Sequence, residues 1–93
     1  MKYIPKPIDT SKIALPLEIV ELTELLSKNV HEVWSAQKML DGFSSLDEKA
    51  QSEKVHSNLV PYEALSEGAK QYDRNTALET IKVLIKLGFK IEK

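Results

Sequence analysis

Leu17-Glu18-Ile19-Val20-Glu21-Leu22-Thr23-Glu24-Leu25-Leu26-Ser27-Lys28-Asn29-Val30-His31-Glu32-Val33-Trp34-Ser35-Ala36-Gln37-Lys38-Met39-Leu40 carries the strongest periodic signal in the chain. Ile19, Leu22, Leu26, Val30, Val33, Gln37 and Leu40 recur at spacings of three and four, which is one helical face with a single polar member. The opposite face carries Glu21, Glu24, Lys28, Glu32 and Ser35. Glu24 and Lys28 stand in the favourable i,i+4 order. Pro16 suits a first helical turn, where its missing N–H is not needed. Gly42 suits the position just past a helix end. The spacing therefore predicts a helix over about 17–41.

Outward from this helix the signals are weaker. Residues 3 to 15 read as an extended arm. Pro5 and Pro7 hold Ile4 and Lys6 out of the α region. Asp9-Thr10-Ser11 are turn formers, and Ile13 and Leu15 are apolar anchors. Residues 43 to 58 read as a polar surface loop, and Leu59-Val60-Pro61-Tyr62 as a return to the core. Ser66 with Glu67 predicts a short helix to about Tyr72. Asp73 reads as the N-cap of a final helix over about 74–87, with Ala77, Leu78, Ile81, Leu84 and Ile85 as its core stripe. Gly88 closes it. Phe89-Lys90-Ile91 alternates and is expected to pair as a short strand with the arm. The expected fold is mainly α: two principal helices, a short helix, an extended N-terminal arm and minor β-strands.

The 93 residues suffice for one domain, 1–93. An apolar share of 42% and a charged share of 29% are those of a globular chain. A net charge of −1 argues against a duplex nucleic-acid partner, which needs a basic face. No apolar run is long enough to span a membrane, and the first residues lack the apolar region of a secretory signal. The absence of cysteine excludes disulfides and thiolate metal sites. The expected compartment is the cytoplasm.

Catalytic and metal patterns are missing. His31-Glu32-Val33-Trp34 lacks the second histidine of a zinc-protease helix. The glycines are isolated, so no phosphate loop forms, and neither a nucleophile elbow nor an EF-hand spacing occurs. Neither an enzyme, a metal nor a cofactor is expected. A second strip on the long helix is more informative: Thr23, Ser27, His31, Trp34 and Lys38. It holds the only tryptophan. One reading is a tryptophan at the edge of the core, packed on the last helix. The other is a stacking surface for a planar ligand, with Lys38 placed to meet an anion.

Several segments, in order along nearly the whole chain, resemble the repeat domain of ryanodine receptors, a family with stand-alone copies in bacteria and their phages. They are Tyr3-Ile4-Pro5-Lys6-Pro7-Ile8-Asp9-Thr10-Ser11, Ile13-Ala14-Leu15-Pro16, His31-Glu32-Val33-Trp34-Ser35, Gly42-Phe43, and His56 with Leu59-Val60-Pro61-Tyr62. Tyr72-Asp73-Arg74-Asn75-Thr76-Ala77 and Leu87-Gly88-Phe89 complete them. The chain departs from the family pattern at Phe43, Ser45-Leu46, Lys49-Ala50, Ser57 and Ser66, mostly in the middle loop.

The resemblance implies a mainly α fold that works in pairs related by approximate twofold symmetry, so a lone copy is expected to form a homodimer. It also implies an adenine-nucleotide-like cleft faced by Trp34, with Lys38 and Asp73 beside it. Arg74, at the expected start of the final helix, would meet phosphate there. Tyr62, His56 and His31 complete the candidate set. The expected function is recognition, by sensing or sequestering, of a nucleotide-derived small molecule such as an adenine nucleotide or a cyclic ADP-ribose-like signal. The alternative is a protein–protein interaction or dimerisation module without a small ligand.

Overall fold

A computed structural model describes residues 2–44 and 56–93. Helix α1 spans Leu17–Val20 and α2 spans Thr23–Leu40. A 3-10 turn follows at Tyr62–Ala64, and α3 spans Glu67–Lys86. Helix α2 packs chiefly on α3 and also touches the 3-10 turn. The fold is mainly helical, as the periodicity predicts, with three differences.

First, the helix expected over 17–41 breaks at Glu21–Leu22. Leu22 N–H bonds to the Ile19 carbonyl at 3.0 Å, a three-residue step in place of the helical four. The Thr23 hydroxyl donates to the Val20 carbonyl at 2.6 Å and satisfies the acceptor that a continuous helix would have used. Past this joint the four-residue ladder restarts with Leu26 N–H on the Leu22 carbonyl.

Second, the two helices expected on either side of Asp73 are one. Ser66 caps α3 as expected, its Oγ accepting from Ala69 N–H at 3.1 Å. Tyr72, Asp73, Arg74 and Asn75 then continue the helix. None of them is a proline or glycine, and Gln71 bonds to Asn75 across the expected break at 3.0 Å. An aspartate caps only from a non-helical backbone, and Asp73 lies in mid-helix.

Third, no β-strand forms among the described residues, and Phe89-Lys90-Ile91 is irregular. Gly88, at φ 100°, takes the left-handed conformation that ends α3. Phe89 N–H then bonds back to the Leu84 carbonyl, so Phe89 belongs to the helix terminus and not to a sheet. Gly42, at φ 92°, ends α2 in the same way, with Phe43 N–H on the Lys38 carbonyl. The arm docks on α3 through side chains instead. Thr10, nearly buried, gives its hydroxyl to Glu79 at 2.5 Å, and Lys86 donates to the Asp9 carbonyl.

The core sits elsewhere than the apolar stripe suggests. Leu59, Tyr62 and Leu65 are buried, and Tyr62 meets Ser27 and His31 of α2. Ser27 is fully buried, whereas Leu22, Val33 and Leu40 of the apolar stripe are exposed, and Leu26 and Val30 are half-buried. The middle of the polar strip turns inward because Ser27 and His31 find partners there. Ser27 Oγ lies 2.9 Å from Tyr62 Oη, and His31 Nε2 lies 2.6 Å from the Val60 carbonyl. The short Ser27 side chain also lets α3 approach, with the Lys70 carbonyl 3.4 Å from its hydroxyl. Lys28 and Glu63, 2.8 Å apart, fasten the outer edge of α2 to the 3-10 turn.

Candidate functional site

The polar strip of α2 runs into a cavity of about 250 Å³ between α2, α3 and the segment at 56–58. His31 and Trp34 line it from α2, and His56 and Asn58 from the segment before the core return. Leu65, just past the 3-10 turn, and Ala69, Tyr72 and Asp73 of α3 close it. Residues 69, 72 and 73 fall at i, i+3 and i+4, so only a continuous helix through Asp73 brings them to one face.

The aromatic groups form a chain. The His31 ring stacks on Trp34, with centroids 5.7 Å apart and planes inclined by 23°. His56 meets Trp34 edge-on at 4.8 Å, and Phe43 meets His56 at 6.3 Å. Lys38 lies over this cluster, its ammonium 4.7 Å from the Phe43 centroid and 5.9 Å from that of Trp34. The helix terminus at Gly42 causes this, since it folds Phe43 back beneath the last turn that holds Lys38.

Hydrogen bonds set the state of both imidazoles. A carbonyl only accepts, so His31 Nε2 carries the proton that bonds to Val60. The other nitrogen, Nδ1, lies 4.0 Å from an Asp73 carboxylate oxygen, longer than a hydrogen bond. His56 Nδ1 accepts Asn58 N–H at 3.1 Å, which places its proton on Nε2. Asp73, with a fifth of its side chain exposed, is the carboxylate of the cavity wall.

The structure brings together four of the residues named from sequence: His31, Trp34, His56 and Asp73. Lys38 stands at the outer edge of the same aromatic cluster without lining the cavity. Tyr62 and Arg74 are engaged elsewhere. Tyr62 is buried, with its hydroxyl shared between Ser27 and Glu24. Arg74 bonds to Glu24 at 2.5 Å and to Glu67 at 3.2 Å. The Glu24 carboxylate holds the guanidinium firmly charged, with its pKa above the ordinary arginine value. Arg74 is therefore a clamp between α2 and α3, and the helix start expected beside it lies instead at Glu67. Asn58, Leu65, Ala69 and Tyr72 are cavity residues that the sequence reading missed. A helical wheel begun at Ser66 and carried through Asp73 identifies the last two.

Among the described residues no three His, Cys, Asp or Glu side chains gather as a metal site, and no helix is long and apolar enough to cross a membrane. A family model described as the RyR domain matches the chain over residues 3–93.

Proposed function

Because the chain belongs to the RyR domain family, we propose that it is a non-enzymatic binding module for a nucleotide-derived small molecule, such as an adenine nucleotide or a cyclic ADP-ribose-like signal. The observation that carries this reading is the half-buried Trp34 indole on the wall of a cavity that also presents Asp73, His56 and Asn58. An indole is a platform for a planar base, worth about 1–3 kcal/mol per stacked base in single-stranded nucleic-acid complexes. Asp73 accepts from hydroxyls or an exocyclic amine and repels phosphate. At 250 Å³ the cavity lies just below the usual range of about 300–1,000 Å³ for small-molecule sites. It suits a nucleoside, with the phosphates directed outward toward Lys38.

Calorimetry and thermal unfolding with adenosine, adenine nucleotides and cyclic ADP-ribose-like compounds test this, since a ligand of the native state raises its stability. Binding by any of these, lost in Trp34→Ala, is the expected result. Failure of all of them at millimolar concentration overturns it. The alternative is a protein-interaction module without a small ligand. It draws on Tyr72, which stands 78% exposed at the cavity rim, where an aromatic side chain suits a partner surface.

A further inference from the structure

His31 is buried, with 4% of its side chain exposed, and it lines the cavity. Its Nε2 proton goes to the Val60 carbonyl. On the neutral ring Nδ1 is then an acceptor, and among the described residues no donor reaches it. An Asp73 carboxylate oxygen lies 4.0 Å from it. A carboxylate also only accepts, so the two groups cannot satisfy each other. Helix α2 thus contributes one acceptor, and α3 another, to the same cavity wall. A buried acceptor carries a desolvation cost, which a ligand that brings donors to both of them removes.

The spacing of the two acceptors selects the donor group. An amino nitrogen about 2.9 Å from both would see them only about 90° apart, whereas its two N–H bonds diverge by about 120°. Two hydroxyls on adjacent carbons, cis to one another, fit better. Their oxygens stand closer together than the two acceptors do, so each turns its own proton to its own acceptor along slightly diverging lines. Given the nucleotide-binding reading proposed above, on which this rests, we infer that His31 Nδ1 and the Asp73 carboxylate together hold the cis-diol of a ribose. The cavity is then selective for ribonucleosides whose 2′ and 3′ hydroxyls are both free. The His31 ring centroid lies 5.7 Å from that of Trp34, so a base on the indole brings its own sugar to the imidazole. A sugar that lacks one hydroxyl leaves a buried acceptor unmet, and sites built to bond a hydroxyl reject such analogues strongly. A phosphate on either hydroxyl removes a donor and meets the Asp73 charge. A 5′-phosphate does neither and is free to lie outward, toward Lys38.

Calorimetry on the full chain at about pH 8, where an ordinary imidazole is neutral, tests this with adenosine 5′-phosphate and its 2′-deoxy and 3′-deoxy forms. The deoxy forms are expected to bind about tenfold more weakly or worse, as loss of a bond to a buried or charged acceptor predicts. Adenosine 2′- and 3′-phosphates should be weaker still. His31→Gln keeps a donor within reach of the Val60 carbonyl but has no acceptor where Nδ1 stands. Asp73→Ala removes the carboxylate from mid-helix, where alanine suits the backbone. Each variant should lose affinity for adenosine 5′-phosphate and bind its deoxy forms nearly as well as the parent nucleotide. Trp34→Ala should weaken ribo and deoxy forms alike and leave their ratio unchanged. Asp73, a fifth exposed, tolerates replacement more readily than the buried His31, so Asp73→Ala decides should His31→Gln not fold. Equal wild-type affinity for the ribo and deoxy forms overturns the inference while the nucleotide reading stands, and reduces His31 and Asp73 to a structural pair. Discrimination that survives in Asp73→Ala assigns the hydroxyls to other residues and overturns it as well. If no adenine compound binds at all, the nucleotide reading itself fails and takes this inference with it.

Discussion

The hydroxyl of Tyr62 lies 2.9 Å from that of Ser27, the most deeply buried side chain described, and donates to Glu24 at the same distance. One residue of the 3-10 turn thereby holds two positions of α2, and through Glu24 it connects to Arg74 of α3. This linkage, more than an apolar stripe, determines which side of α2 faces inward.

Tyr62→Phe is expected to cost about 1–3 kcal/mol, because it leaves a buried hydroxyl at Ser27 with only the distant Lys70 carbonyl. Urea unfolding of the variant measures this. An unchanged midpoint would show that the bond is dispensable.

Ser27→Leu adds volume where the two helices meet and should destabilise by about 1–3 kcal/mol through overpacking. Leu59→Ala should cost about 2–5 kcal/mol by lost transfer energy and a cavity. Both follow from an inward polar strip backed by the 59–65 segment. Tolerance of Ser27→Leu would place the core on the Leu22–Leu40 stripe instead.

The arm should be part of the folded unit. Thr10→Val removes the bond to Glu79 and should cost about 1 kcal/mol. Amide exchange should quicken in residues 9–13 and, to a smaller degree, along the second half of α3. Exchange identical to the wild type in both regions would mean that the arm contributes nothing there.

Ligand binding should separate two cations that look alike in sequence. Lys38→Ala should weaken binding of an anionic ligand and flatten its dependence on salt, as loss of a cation facing the ligand does. Arg74→Ala should leave affinity nearly unchanged but lower the thermal midpoint, since it breaks the contacts to Glu24 and Glu67. Titration calorimetry beside thermal unfolding distinguishes the two, and a reversed pattern would move the anion site to Arg74.

Acid should loosen the α2–α3 clamp. The Glu24 carboxyl is held below its ordinary 4.5 by the bond from Arg74 and then by that from Tyr62, and Lys28 lowers Glu63 likewise. A depressed folded-state value means that the unfolded chain takes up protons first as pH falls. The stabilisation is thus fully present above about pH 4.5 and is lost as pH drops through the folded values. In Glu24→Gln the acid-side decline should be shallower, which unfolding midpoints between pH 6 and pH 3 would reveal.

Local signals carried much of the fold. The helical period of residues 23–40, the Ser66 cap and the glycines at 42 and 88 are read correctly from sequence because their causes lie within one or two helical turns. Trp34, His31 and His56 could likewise be marked as candidates from residue type and from the family resemblance. What only the tertiary structure decided is which face of α2 is buried and which candidates share one cavity. A helical wheel separates the Ile19–Leu40 stripe from the Thr23–Lys38 strip, yet it is silent on what each will meet. Ser27 and His31 turn inward because Tyr62 and the Val60 carbonyl, 35 and 29 residues away, satisfy their polar atoms. A different effect misplaced Asp73 and Arg74. The type of Asp73 suits a helix start, but Ser66 had already begun the helix, which carried Asp73 to the cavity and Arg74 to Glu24.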